Sequence, residues 1–137
     1  MAGNAFTVLT KRAKLARAAR FCVVGGTGTA INTAVLYLLS RRLGLPLPVS
    51  SAIAVEIAIL SNYMLNDRFT FGARRPSVRR LAKFNITSLA GLGVNVMIVW
   101  LLARHGVYFL AANFVGIAVA VVVNYTFSVA WVWRREV

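Results

Sequence analysis

Four long apolar runs, separated by short connections rich in arginine and lysine, dominate this sequence of 137 residues. Crossing a hydrocarbon core of about 30 Å takes about twenty mostly apolar residues in a helix, because lipid offers the backbone no hydrogen-bonding partners. The runs therefore predict an all-α integral membrane protein with four transmembrane helices, at about residues 21–39, 47–65, 84–103 and 108–130.

The positive charges are distributed unevenly among the connections. Of the 16 Lys and Arg residues, most lie in the N-terminal arm, in the loop before the third run and in the tail. The two other connections hold only Arg41, Arg42 and Arg104. Under the positive-inside rule the charge-rich segments face the cytoplasm. The sequence thus predicts both termini on the cytoplasmic side, a basic arm over residues 1–19 and a four-helix domain over residues 20–135.

Charge and motif content exclude several classes of function. The basic residues form short clusters beside apolar runs, which is typical of contact with anionic lipids rather than with nucleic acid, so we expect no nucleic-acid partner. The sequence has no Ser/His/Asp, Cys/His or paired-carboxylate arrangement, and its single histidine, His105, stands apart from other metal-ligating residues. We therefore expect neither an enzyme nor a metal or cofactor.

The chain contains two copies of one helical hairpin. The matched pairs are Arg20 with Lys83, Phe21 with Phe84, Asn32 with Asn95, Asn62 with Asn124, Tyr63 with Tyr125, Phe69 with Trp131 and Phe71 with Trp133. Each copy has an even number of spans, so we predict two parallel hairpin repeats with any site between them. Glu56 and Asp67 align with Ala118 and Val129. The acidic groups within the four-helix domain, and by our expectation most of the function, therefore belong to the first hairpin.

Polar residues at the bilayer centre form the first candidate layer. Glu56 lies about nine residues into the second predicted span, which is about 14 Å deep, and Asn32 and Asn95 lie at about 16 Å. A charged group at the centre of a spanning helix costs about 2.5–3.5 kcal/mol, so such groups usually face a protein interior or a wet cavity. Two interpretations stay open for this layer: a binding site, or hydrogen bonds that only join helices.

A second polar layer is predicted nearer the cytoplasm. Asn62 and Asn66 are four residues apart and share a helix face, and Asn124 is the repeat counterpart of Asn62. Arg20, Lys83 and Arg68 lie just below this layer, where they could bind a phosphate at headgroup level or only anchor the helices.

Several small residues fall within the predicted spans. Gly25 and Gly26 belong to a Gly-rich stretch that lacks the strand and the acidic residue of a dinucleotide-binding turn. Together with Gly91, they are instead typical of close approach between membrane helices. They could also serve a homo-oligomer, which we expect because four helices enclose little room.

In combination these residues resemble the GtrA-like family. The resemblance is carried by Arg20-Phe21 with Val24-Gly25-Gly26, by Asn32, by Glu56 and the stretch from Ser61 to Phe71, by Lys83-Phe84, and by Asn124-Tyr125 through Trp133. It implies four-helix proteins of the prokaryotic cytoplasmic (inner) membrane that act in cell-surface polysaccharide pathways and flip polyprenyl-phosphate-linked sugars. The corresponding hypothesis places the phosphate on Arg20, Lys83 or Arg68 and the sugar along Asn62, Asn66, Asn124, Glu56, Asn32 and Asn95.

Two alternatives accompany this hypothesis. The resemblance also implies a non-transporting role, as a membrane anchor or recruitment subunit for a glycosyltransferase. A small multidrug antiporter would share the four-helix size and the single intramembrane Glu, but it carries that Glu in the first span. Because Glu56 lies in the second predicted span, the antiporter interpretation is disfavoured.

Overall fold

The computed structural model describes residues 2–73 and 75–134, and no strand occurs among them. The helices are α1 (Ala2–Tyr37), α2 (Leu47–Leu65), α3 (Val78–Arg104) and α4 (Phe109–Phe127). With the turns that continue them, they provide four segments long and apolar enough to cross a membrane. The prediction of an all-α protein with four spanning helices is confirmed.

Two helices begin well before the apolar runs on which the prediction rests. α1 already includes the basic segment from Lys11 to Arg20, because Ala, Lys, Arg and Leu are all strong helix formers. α3 begins at Val78, where the Ser77 side chain accepts a hydrogen bond from the backbone N–H of Arg80 at 3.5 Å. Part of the predicted basic loop is therefore the first turn of α3.

Three of the four helices end in a π-helical turn. These turns cover Leu38–Arg42, Asn66–Thr70 and Ser128–Val132. The last two occupy matching positions in the two repeats. Each is closed by the backbone N–H of the following aromatic residue, with Phe71 bonded to the Asn66 carbonyl and Trp133 to the Ser128 carbonyl, both at 2.9 Å.

The chain divides into two compact units, Met1–Pro76 and Ser77–Val137. Within the first, α1 packs on α2, and within the second, α3 packs on α4. Each unit is a helical hairpin. Their tips turn through Gly44 and Gly106, whose φ values of +68° and +81° lie in the left-handed region that favours glycine.

Small side chains line the seam of each hairpin. On α2, Ser50, Ala54 and Ala58 recur every four residues and are buried, and Ala112 and Gly116 occupy the equivalent positions on α4. Membrane helices approach closely where such small residues face each other. The hairpins are therefore held by close packing along a narrow stripe.

An aromatic pair closes the same end of each hairpin. Phe21 of α1 packs edge-on against Phe71 at a ring-centroid distance of 6.4 Å, and Phe84 of α3 packs against Trp133 at 5.4 Å. All four rings are buried, and Trp133 is 0% exposed. We call this the aromatic end of each hairpin.

The prediction of close approach at glycine is confirmed at one of the three named positions. A Cβ on Gly91 would lie 3.4 Å from the Ala120 carbonyl oxygen, whereas a Cβ on Gly25 or Gly26 would meet nothing within 4 Å. For Gly25 and Gly26 the prediction is wrong within the hairpin. Burial along α1 follows Phe21, Val24 and Gly28 instead.

Candidate functional site

The two matched cations of the repeat bind backbone carbonyls at the aromatic end. Arg20 donates to the carbonyl oxygen of Phe69 at 3.3 Å, and Lys83 donates to that of Trp131 at 3.2 Å. Both acceptors lie in π-helical turns at the C-terminal ends of α2 and α4, where exposed carbonyls favour positive charge. Each cation thus joins the two helices of its hairpin. Arginine has five N–H donors and lysine three, so both retain donors for a further ligand.

The remaining predicted residues of this end divide into buried and exposed groups. Asn66 is buried, and its Oδ1 accepts a hydrogen bond from the Thr70 hydroxyl at 2.7 Å. The Oδ1 of Asn124 accepts one from Ser128 at 3.5 Å. Arg68 is exposed. Asn66 therefore stabilises the π-helical turn, and Arg68 is open to a ligand.

Three predicted asparagines have buried amide oxygens that accept no hydrogen bond from the part of the chain that the structure describes: Asn32, Asn62 and Asn95. A Cβ on Gly28 would collide with the amide of Asn62, and one on Gly116 with that of Asn95. These amides therefore lie in the seam between the helices of each hairpin. Because an unsatisfied buried acceptor costs about 1–3 kcal/mol, a hydroxyl donor brought to these atoms would recover free energy.

Glu56 occupies a different face of α2 from the asparagines. It lies two residues from both Ala54 and Ala58, which are buried in the seam, and successive residues turn by about 100° around a helix. The Glu56 side chain is accordingly exposed on the far side of α2. The predicted midplane layer is thus divided within the first hairpin, with Asn32 at the seam and Glu56 outside it.

Each hairpin has a cavity beside its matched cation, and the two differ in chemistry. The first, of about 410 Å³, is lined by Ala19, Arg20, Val23, Val24, Thr27, Leu65 and Phe69. The second, of about 350 Å³, is lined by Ser77, Arg79, Arg80, Lys83, Trp131, Val132 and Arg134. The first wall is mostly apolar, whereas the second carries four cations. The sequence interpretation missed this second cavity because it treated Arg79, Arg80 and Arg134 as general positive-inside charge.

The unpartnered amides lead to a prediction about stability. Replacing Asn32 with leucine, which is similar in size, should raise the unfolding free energy by about 1 kcal/mol, because an unsatisfied acceptor is removed and no hydrogen bond is lost. Asn66→Leu is the matched control and should lower it by about 1–3 kcal/mol, because the Thr70 hydroxyl loses its acceptor. Denaturant titration in detergent micelles, followed by circular dichroism, measures both changes. If Asn32→Leu destabilises the protein as much as the control does, the Asn32 amide oxygen must accept a hydrogen bond, and the described geometry is contradicted.

Together, the four spans, seam amides and basic helix ends define a polytopic helical membrane protein built from two polar-lined hairpins. The model of the GtrA/DPMS transmembrane domain matches residues 20–133, and the chain belongs to this family. It is also 38% identical over 119 residues to the dolichol-phosphate mannosyltransferase of Pyrococcus furiosus, an alignment that covers 85% of this chain and 34% of that protein. The chain thus spans about a third of the length of this relative.

Proposed function

We propose that this protein moves a polyprenyl-phosphate-linked sugar across the prokaryotic cytoplasmic membrane for cell-surface polysaccharide synthesis. Membership of the GtrA/DPMS family ties it to polyprenyl-phosphate sugar pathways. The observation that carries the proposal is the set of buried amide oxygens without donors at Asn32, Asn62 and Asn95. A sugar presents many hydroxyl donors, and acceptors within the bilayer lower the cost of bringing such groups through it.

The proposed path begins at the aromatic end. There the spare donors of Arg20 or of Lys83, or the exposed guanidinium of Arg68, would hold the phosphate by charge-assisted hydrogen bonds. The sugar would then meet the amides in order of depth while the lipid tail stays in the bilayer. In the first hairpin the residues proposed to meet it are Asn62 and Asn66, followed by Asn32 and Glu56. In the second hairpin they are Asn124, followed by Asn95.

Reconstitution into liposomes with a fluorescent polyprenyl-phosphate sugar tests this proposal. Asn95→Leu should slow transbilayer movement about tenfold, as expected for the loss of about 1.4 kcal/mol of transition-state stabilisation. Thr33→Val is the matched control, because the exposed Thr33 hydroxyl bonds only the Thr29 carbonyl of its own helix, and it should move the substrate at the parental rate. Movement no faster than in protein-free liposomes would refute the proposal.

A second function is favoured by the length of the relative. Only about a third of the mannosyltransferase aligns with this chain, and the matched family model is that of a transmembrane domain. The chain would then serve as a membrane anchor or recruitment subunit for a separate glycosyltransferase, with homo-oligomers forming through exposed surfaces such as that of Gly26. Co-purification of a glycosyltransferase that is unchanged by Asn95→Leu, without sugar movement in liposomes, would support this function over transport.

A further inference from the structure

The cavity at the start of α3 carries four cationic side chains on its wall. It has a volume of about 350 Å³, which is within the usual range of about 300–1,000 Å³ for ligand pockets. Its wall combines Arg79, Arg80, Lys83 and Arg134 with the Trp131 ring. Arg79 and Arg134 are exposed. Arg79, Lys83 and Arg134 alone bring three positive charges to one wall, and like charges at short range repel one another.

The position of these cations on α3 strengthens this argument. Arg79 and Arg80 lie in the first turn of the helix, which contains no acidic residue. A helix N-terminus carries partial positive charge and favours anions, so cations there are electrostatically unfavourable. Arg79 therefore adds charge where the backbone is already positive. A bound anion would relieve both repulsions at once, and backbone N–H groups at a helix N-terminus commonly bind phosphate.

Lys83 and Trp131 form a fixed wall of the cavity. The Lys83 ammonium donates to the Trp131 carbonyl at 3.2 Å and also lies 5.1 Å from the centre of the Trp131 ring. These two contacts hold the ammonium at the cavity while leaving it donors for a ligand. The indole is an amphipathic group of the kind that favours the headgroup level of a membrane.

The first hairpin lacks this arrangement at the matching positions. Arg17 and Arg20 match Arg80 and Lys83, but Ala16 and Gly72 stand in place of Arg79 and Arg134. α1 also runs through the position at which α3 begins, so it has no helix N-terminus at this point. The basic cavity is therefore a specific feature of the second hairpin and not a consequence of the repeat.

We infer that this cavity binds a phosphate monoester or diester group presented at the membrane surface. The guanidinium groups of Arg79 and Arg134 bind its oxygens, and Lys83 and the start of α3 neutralise the remaining charge. The same chemistry fits a polyprenyl phosphate, an anionic phospholipid headgroup or a free phosphate. The inference does not depend on transport and stands if the chain is only an anchor.

Binding to the full chain in phosphatidylcholine nanodiscs tests the inference with three probes: farnesyl phosphate, phosphatidylglycerol and inorganic phosphate. The key variant combines Arg79→Ala with Arg134→Gly, which installs the residues of the first hairpin. We expect it to weaken binding of at least one probe about 10- to 30-fold, since each cation near a membrane surface contributes measurably to anion binding. Arg104→Ala is the control: it removes a cation from the opposite end of α3, beyond the Debye length from the cavity, and should change affinity less than about twofold.

The three probes identify the source of the phosphate. If only farnesyl phosphate shows cavity-dependent binding, the ligand is a lipid monophosphate. If both lipids show it, the cavity binds membrane phosphates in general. If only inorganic phosphate shows it, the ligand is a free anion. The lysine pair Arg79→Lys and Arg134→Lys keeps the charge but loses the planar guanidinium groups, so it should bind more tightly than the Ala/Gly variant and less tightly than the parent. Equal weakening in the cavity and control variants, or no cavity-dependent binding of any probe, overturns the inference. Sugar movement in liposomes is a separate measurement, so the proposed transport can fail while this binding is found.

Discussion

Replacing Trp133 with alanine is expected to lower the unfolding free energy of the protein by about 3–5 kcal/mol, the largest loss from any single substitution considered for this chain. The Trp133 side chain is 0% exposed and its ring packs edge-on against Phe84, which is 1% exposed. Removing the indole leaves a cavity at the aromatic end. The backbone N–H of residue 133 keeps its hydrogen bond to the Ser128 carbonyl, but no side chain replaces the lost ring.

The chain provides a matched control two residues away. Trp131 is 41% exposed, so Trp131→Ala should cost less than about 1.5 kcal/mol, mostly through the loss of the Lys83 contact. Trp133→Phe, which installs the ring of the first hairpin, should recover most of the stability lost in Trp133→Ala. Denaturant titrations in detergent followed by far-ultraviolet circular dichroism avoid relying on tryptophan fluorescence. Equal losses at positions 131 and 133 would contradict the described packing.

Gly116→Ala is expected to destabilise the second hairpin by about 1–3 kcal/mol. An added Cβ would collide with the Asn95 amide oxygen and would lie 3.0 Å from the Asn95 backbone oxygen. A side chain can rotate away, but the backbone oxygen moves only with α3 itself. The second substitution Asn95→Ala should therefore restore only part of the loss. Gly93→Ala is the control, because a Cβ there meets nothing within 4 Å.

The equivalent test in the first hairpin should give a different result. The three atoms nearest to a Cβ on Gly28 would all belong to the Asn62 side chain. Truncating that side chain removes these three atoms, so the double variant Gly28→Ala with Asn62→Ala should be nearly as stable as Asn62→Ala alone. Double-mutant cycles of the unfolding free energy, measured by the same titrations, show how much stability the asparagine truncation restores in each glycine–asparagine pair. Equal rescue in both hairpins would show that the Asn95 backbone oxygen does not restrain α4.

Much of the fold follows from the sequence because its strongest signals are long. Apolar runs of about twenty residues predict the spans, and the pairing of Asn32 with Asn95 indicates the repeat. The start of α3 is a local event that depends on the Ser77 cap and not on hydropathy. It could have been found from a serine after Pro76 and before a run of helix formers.

The candidate site was harder to predict because depth alone does not determine which way a side chain points. Glu56 and Asn32 share a level, but helix phase places Glu56 away from the seam. The four-residue spacing of the small residues Ser50, Ala54 and Ala58 already indicates which face of α2 lies in the seam. The same search for small residues on one helix face would have selected Gly28, and not Gly25, as the contact position on α1. The pairing of Arg20 with the Phe69 carbonyl is a tertiary contact between residues far apart in the chain, and no local sequence pattern predicts it.

The π-helical turn at Leu38–Arg42 accounts for a difference in length between the repeats. From Asn32 to Ala54 the first hairpin has one residue more than the second has from Asn95 to Gly116. α1 is followed by a π-helical turn at its tip, whereas α3 runs as an α-helix to Arg104. The extra residue is thus taken up at the tip, in a wider helical turn, while the asparagines, cations and aromatic pairs stay in register. Insertions at the tip therefore leave the polar end of the hairpin geometrically unchanged.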